Sequence, residues 1–159
     1  MKKLLPLLVA VGPLLLLAAF ARTQDAGTAP LLKAGVAQVV ITPPVNMWMA
    51  GYAGRKKPAE GKVQDLFAKA LALEDSGGNR LVIVTTDLIG ILPTLRASME
   101  QKVAGAFQLP PQALLLNASH THSGPEYRVR TGPHDQEAKE YTDFLEIQLV
   151  RVIGAALED

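Results

Sequence analysis

Apolar positions along the chain fall into short blocks whose spacing predicts the order of elements. Val36 to Ile41 is almost continuously apolar and rich in β-branched residues, and Thr42-Pro43-Pro44 ends the run because proline has no N–H to give to a sheet ladder. A strand is expected there. Leu66 to Glu74 and Arg80 to Thr86 are two further apolar stretches, and Asp75-Ser76-Gly77-Gly78-Asn79 between them supplies the residues of a hairpin connection, so they are expected to pair antiparallel. From Pro93 to Phe107 the apolar residues Leu95, Met99, Val103 and Phe107 recur every fourth position, marking one face of a helix that Pro93 can open. Ala113 to Leu116, preceded by Leu109-Pro110-Pro111, is short enough and apolar enough to be a buried strand. Ala138, Tyr141, Leu145, Leu149, Val152 and Ala156 trace the apolar face of a second helix. Between Val45 and Val63 no period is visible, and Met47, Trp48, Met49 and Tyr52 stand among glycines ahead of Arg55-Lys56-Lys57-Pro58. A long exposed loop is expected, with Trp48 and Met49 packed onto the core in preference to lining a cleft. Strand, hairpin, helix, strand and helix together predict an α/β fold, a mixed β-sheet with flanking helices.

The first residues bear on compartment rather than fold. Lys2 and Lys3 precede an uncharged stretch from Leu4 to Phe20 that closes on Ala19-Phe20-Ala21. This is the three-part pattern of a secretory signal peptide. It is shorter than the about 20 residues of a membrane span and carries Pro6 and Pro13. Residues 1–21 are therefore expected to be a signal peptide, residues 22–33 a flexible lead-in, and residues 34–159 one folded domain. An uncleaved anchor would leave the same domain exported, so the expected location is secreted or periplasmic.

Loss of the leader takes 16 basic side chains to 14 against 15 acidic ones, moving the formal charge from +1 to −1. A nearly neutral surface without a basic stripe lacks the electrostatic footprint of a nucleic-acid binder, and no nucleic-acid partner is expected. There is no cysteine, which excludes thiolate chemistry and leaves burial or a metal as the sources of stability.

The chemistry gathers in Asn117-Ala118-Ser119-His120-Thr121-His122-Ser123-Gly124-Pro125. In an extended segment His120 and His122 project from one face. Two imidazoles so placed can share a site, and neutral imidazole is a favoured zinc ligand. The interleaved Asn117, Ser119, Thr121 and Ser123 are small hydrogen-bonding residues able to orient the rings. On spacing alone, a pair of surface or mutually bonded histidines fits as well. A catalytic zinc needs three protein ligands or more plus water, and Asp87, Glu126, His134 and Asp135 are the nearby candidates, with His134 read first as a helix-entry residue.

Several segments together resemble the N-terminal region of the neutral/alkaline, non-lysosomal ceramidases. They are Ala34 to Ala37, Ile41-Thr42-Pro43-Pro44, Ala50-Gly51-Tyr52, Asp65 to Leu71, Val82 to Leu88 and, most specific, Asn117 to Pro125. The resemblance implies a zinc amidohydrolase that cleaves the N-acyl bond of ceramide into sphingosine and a fatty acid. It assigns His120 as a Zn2+ ligand and His122 as an active-site residue beside the metal, placed to stabilise a developing oxyanion or relay a proton. It implies a ceramide-like lipid substrate and, with it, peripheral contact with a membrane. This chain departs from the family pattern after Gly124-Pro125, where Glu126-Tyr127 replaces a glycine pair. The resemblance makes residues 34–159 the N-terminal portion of a ceramidase-like hydrolase domain, with the family's remaining zinc ligands, another His, a Glu and a Tyr, expected beyond Asp159, so an unfinished site and no appreciable activity are expected of these residues alone. An exported metal-dependent hydrolase with a non-ceramide substrate and a non-catalytic exported binding domain are the competing readings.

Overall fold

The computed structural model describes residues 32–128 and 134–159. The signal-peptide expectation and nearly all of the lead-in lie outside the described residues.

Four strands form one sheet in chain order: β1 Lys33–Val40, β2 Phe67–Glu74, β3 Arg80–Thr86 and β4 Leu114–Ala118. The first three run antiparallel to one another, and β4 joins β3 in parallel. A parallel neighbour requires a crossover, and helix α1, Pro93–Phe107, provides it. Its end is set locally. Gln108 takes the left-handed conformation (φ 54°) and donates its N–H to Ala104 O, after which Leu109-Pro110-Pro111 cannot continue a helix. One 3₁₀ turn, Pro111–Ala113, then delivers β4. Helix α2, Asp135–Glu158, packs across β1 and β2 and against α1.

Both helices lie on one face of the sheet. There, β2 contributes only Ala68, Ala70 and Ala72, all buried, and these small side chains let α2 approach closely. Gly35 of β1 extends the same accommodation, since a Cβ on it would lie 2.1 Å from Ala156 O. Tyr141, Leu145, Leu149, Val152 and Ile153 of α2 are almost wholly buried against this surface with Val82, Val84 and Leu114. Burying each large apolar side chain is worth about 1.5–3 kcal/mol. The Tyr141 hydroxyl donates to Ile41 O at 2.7 Å, pinning α2 to the end of β1.

The opposite face has a different character. Val36, Leu71, Ile83 and Leu115 stand in register across all four strands, and Val36 and Leu115 are 64% and 48% exposed. Two residues along each strand, Gln38, Lys69, Thr85 and Asn117 form a polar row. The expected α/β class and mixed sheet with flanking helices are observed, both helices lying on one face.

Candidate functional site

The parallel ends of β3 and β4 lie side by side, with Thr86 opposite Ala118. Thr86 is the buried polar residue that ties them. Its hydroxyl donates to Asn117 O at 3.0 Å and its carbonyl accepts the Ser119 N–H at 2.9 Å. The next residue of each strand end enters the candidate site. Asp87 N–H donates to Phe67 O at 3.0 Å, and its carboxylate accepts the Phe67 N–H at 2.9 Å. This carboxylate is therefore engaged by the start of β2, and it also borders the cleft described below.

His120 sits beyond the end of β4 in the left-handed region, at φ 58°. That conformation is uncommon for a residue other than glycine and marks a backbone held by its surroundings. Its ring supplies one such hold, with Nδ1 2.7 Å from Ile89 O in the connection between β3 and α1. A carbonyl can only accept. Nδ1 therefore carries a hydrogen, and in the neutral imidazole Nε2 keeps the lone pair. A metal-ligating histidine has this arrangement, one ring nitrogen donating to a carbonyl and the other free to coordinate.

The His120 and His122 rings are neighbours, with centroids 5.3 Å apart and planes at 61°. They meet for a reason other than strand alternation. The strand stops at Ala118, and the positive φ at His120 turns the backbone before His122 is reached.

A second segment walls in His122. Met49 forms a β-bridge with Pro125, Ala50 N–H donates to Gly124 O at 2.9 Å, and Glu126 N–H donates to Trp48 O at 2.6 Å. The long loop is thus stitched alongside the histidine string. Gly51, at φ 74°, faces the His122 ring so closely that a Cβ there would fall 2.4 Å from its Cγ. Tyr52 meets the same ring edge-on at 4.8 Å. Arg55 donates from Nη2 to His122 O at 2.6 Å.

The interleaved residues do something else. Ser119, Thr121 and Ser123 border a cleft of about 1000 Å³, with Val45, Met47, Met49 and Leu66 among its apolar lining residues. Neither histidine lines it. On its rim, the Lys62 ammonium and then the Thr42 hydroxyl hold the Asp65 carboxyl below the usual carboxylate range. The expectation that Trp48 and Met49 pack onto the core is corrected at both, since Met49 lines the cleft and Trp48 meets the exposed His134 ring at 5.3 Å, while Met47 of the same loop joins the core.

The other nominated ligands lie elsewhere. His134 is the exposed residue immediately before α2. Glu126 pairs with Arg128 through a bond of 2.6 Å to its Nε, and Asp135 opens α2. Among the described residues no three His, Asp or Glu side chains converge in a way that could hold a metal ion. Sequence reasoning missed the Ile89 carbonyl, because every residue has one, and Arg55, which lies 67 positions from its partner.

Comparison with known proteins places the chain among relatives. The family model described as neutral/alkaline non-lysosomal ceramidase, N-terminal, matches residues 32–137. A neutral ceramidase of Drosophila pseudoobscura pseudoobscura is 30% identical over 98 residues, which is 58% of this chain and 14% of that protein. The crystal structure of neutral ceramidase from Pseudomonas aeruginosa superposes with a TM-score of 0.70 at 22% identity, over 82% of this chain and 22% of that one. A ceramidase complexed with C2 superposes with a TM-score of 0.67, also at 22% identity and with the same coverage. At that identity the solved structures speak to the fold. The chain spans less than a quarter of each of these relatives.

Proposed function

We propose a function from the premise that the chain belongs to the neutral/alkaline non-lysosomal ceramidase family: it carries the histidine-bearing part of a zinc-dependent amide hydrolase acting on ceramide-like lipids. In such a reaction water adds to the acyl carbon, the carbon–nitrogen bond breaks, and a fatty acid and a sphingoid amine are released. One observation carries the reading. His120 donates from Nδ1 to Ile89 O, leaving the Nε2 of the neutral ring as a preset lone pair on a backbone of positive φ.

These residues fit a zinc ion as a partial donor set. His120 would ligate it through Nε2, and the described residues bring no further pair of ligands to that point. When bound, zinc would polarise the amide carbonyl and lower the pKa of water toward neutrality. The remaining work falls to the chain. The Ile89 carbonyl fixes the tautomer and direction of His120. His122, half-buried and one ring away, is placed to hold a proton or donate a hydrogen bond to charge developing on the amide oxygen. The adjoining cleft, apolar along Val45, Met47, Met49 and Leu66 and edged with hydroxyls, suits an amphipathic lipid. An exported location and contact with a membrane surface belong to the same proposal.

Calorimetric zinc titration of the full chain tests it. The expected result is weak binding that disappears in His120→Ala and survives in His134→Ala. Zinc binding that persists undiminished in His120→Ala would overturn the ligand assignment.

A further inference from the structure

We infer that Arg55 is a positioning residue for His122, acting through a turn, Ala50 to Arg55, that serves as the mould for the imidazole. The inference rests on the proposal that His122 belongs to the active site, and it adds what holds that ring in place.

Three contacts converge on His122 from this one turn. Gly51 occupies a left-handed conformation, and its missing side chain is the space that the ring fills, since an added Cβ would lie within 2.4–2.8 Å of Cγ, Nδ1 and Cβ of His122. Tyr52 also has a positive φ, 26°, and presents its ring to His122 in a T-shaped contact. Arg55 closes the turn, its N–H donating to Tyr52 O at 3.1 Å.

The Arg55 guanidinium has several partners at once. Nη2 donates to His122 O at 2.6 Å, Nη1 lies 3.4 Å from Met49 Sδ, and the group stands 5.3 Å from the Tyr52 ring centroid. The planar fork makes these contacts simultaneous, and a lysine ammonium could not reproduce them. The geometry also carries a cost, because Arg55 Nε is buried without a hydrogen-bond partner among the described residues. An unpaired buried donor costs about 1–3 kcal/mol. A surface arginine recruited only for solubility would keep Nε in water. Nothing else in this loop requires a positive φ at a tyrosine, a glycine under a ring and an arginine with a buried Nε within five residues. A mould for His122 accounts for all three.

Proton and nitrogen NMR of the histidine rings in the full chain, without metal or substrate, tests the inference. Replacing each histidine in turn assigns the three sets of signals. In Arg55→Ala and in Arg55→Lys the His122 ring signals should shift or broaden into several environments, while those of His120 and His134 stay in place. In Tyr52→Asn, which tolerates the positive φ at an exposed position, the ring-current displacement of the His122 ring protons should be lost with the fold intact. His122 signals unmoved in both Arg55 variants would overturn the inference, and Arg55→Lys, which keeps the charge and most of the side chain, keeps the question answerable if Arg55→Ala unfolds the chain. The readout needs no turnover. Moved His122 signals in a chain whose zinc binding persists undiminished in His120→Ala would count against the proposed function alone, and unmoved signals in a chain that loses zinc binding in that variant would count against the positioning role alone.

Discussion

The two faces of the sheet are made by the same four strands yet solve different problems. The covered face presents alanines from β2 and a glycine from β1, and the large side chains that fill it come from α2. The bare face reverses this, with large residues on the strands themselves in the row Val36, Leu71, Ile83 and Leu115. The stability of the unit should therefore reside on one side. The lesson is that residue size on a strand reports what stands opposite it, and apolarity alone does not.

The largest effect is expected where a helix side chain fills the alanine surface. Leu145→Ala leaves a cavity that the sheet cannot close, and it should cost about 2–5 kcal/mol in urea unfolding followed by circular dichroism. A smaller effect separates the faces by pH. Burial pushes the Tyr127 phenol up to about 12 and moves Tyr141 upward further still, both on the covered side. Each folded-state value lies above the ordinary tyrosine value of about 10, so the neutral form is the one that folding favours. The contribution is complete below about pH 10 and is lost as pH rises through the folded values. Urea midpoints should fall above that pH, and Tyr127→Phe should flatten the decline. The smallest effect is expected on the bare face, where Leu115→Ser should change stability by no more than about 0.5 kcal/mol in the same urea assay. A loss of about 2 kcal/mol there would break the comparison, since it would mean that something covers this face in solution.

Much of the scaffold is legible in the sequence because it depends on local periodicity. Leu95, Met99, Val103 and Phe107 mark α1 with the bounds observed, and the Asp75 to Asn79 cluster gives the hairpin between β2 and β3. The continuous apolar run at Val36 to Ile41 is less informative, since it does not reveal that alternate residues of β1 remain exposed. The candidate site is legible as a cluster but not as a geometry. His120 and His122 can be singled out, and their rings do adjoin, but strand alternation does not bring them together. The left-handed turn at His120 is not legible in neighbouring residue types, and the carbonyl that its ring meets lies 31 positions away. Gly51 carries a faint signal, as any glycine does near a site. Arg55 carries none, because its role exists only once the loop has been stitched to the strand end.

The pairing of Thr86 with Ala118 has a consequence that reaches beyond the sheet. Thr86 fixes Asn117 and Ser119 through its hydroxyl and its carbonyl, and so decides how far along β3 the end of β4 comes to rest. A slip of one residue would carry His120 about 3.3 Å along the strand, beyond the reach of Ile89 O. The imidazole hydrogen would then no longer be assigned to one nitrogen. In this protein, the alignment of two strands is also the address of a single proton.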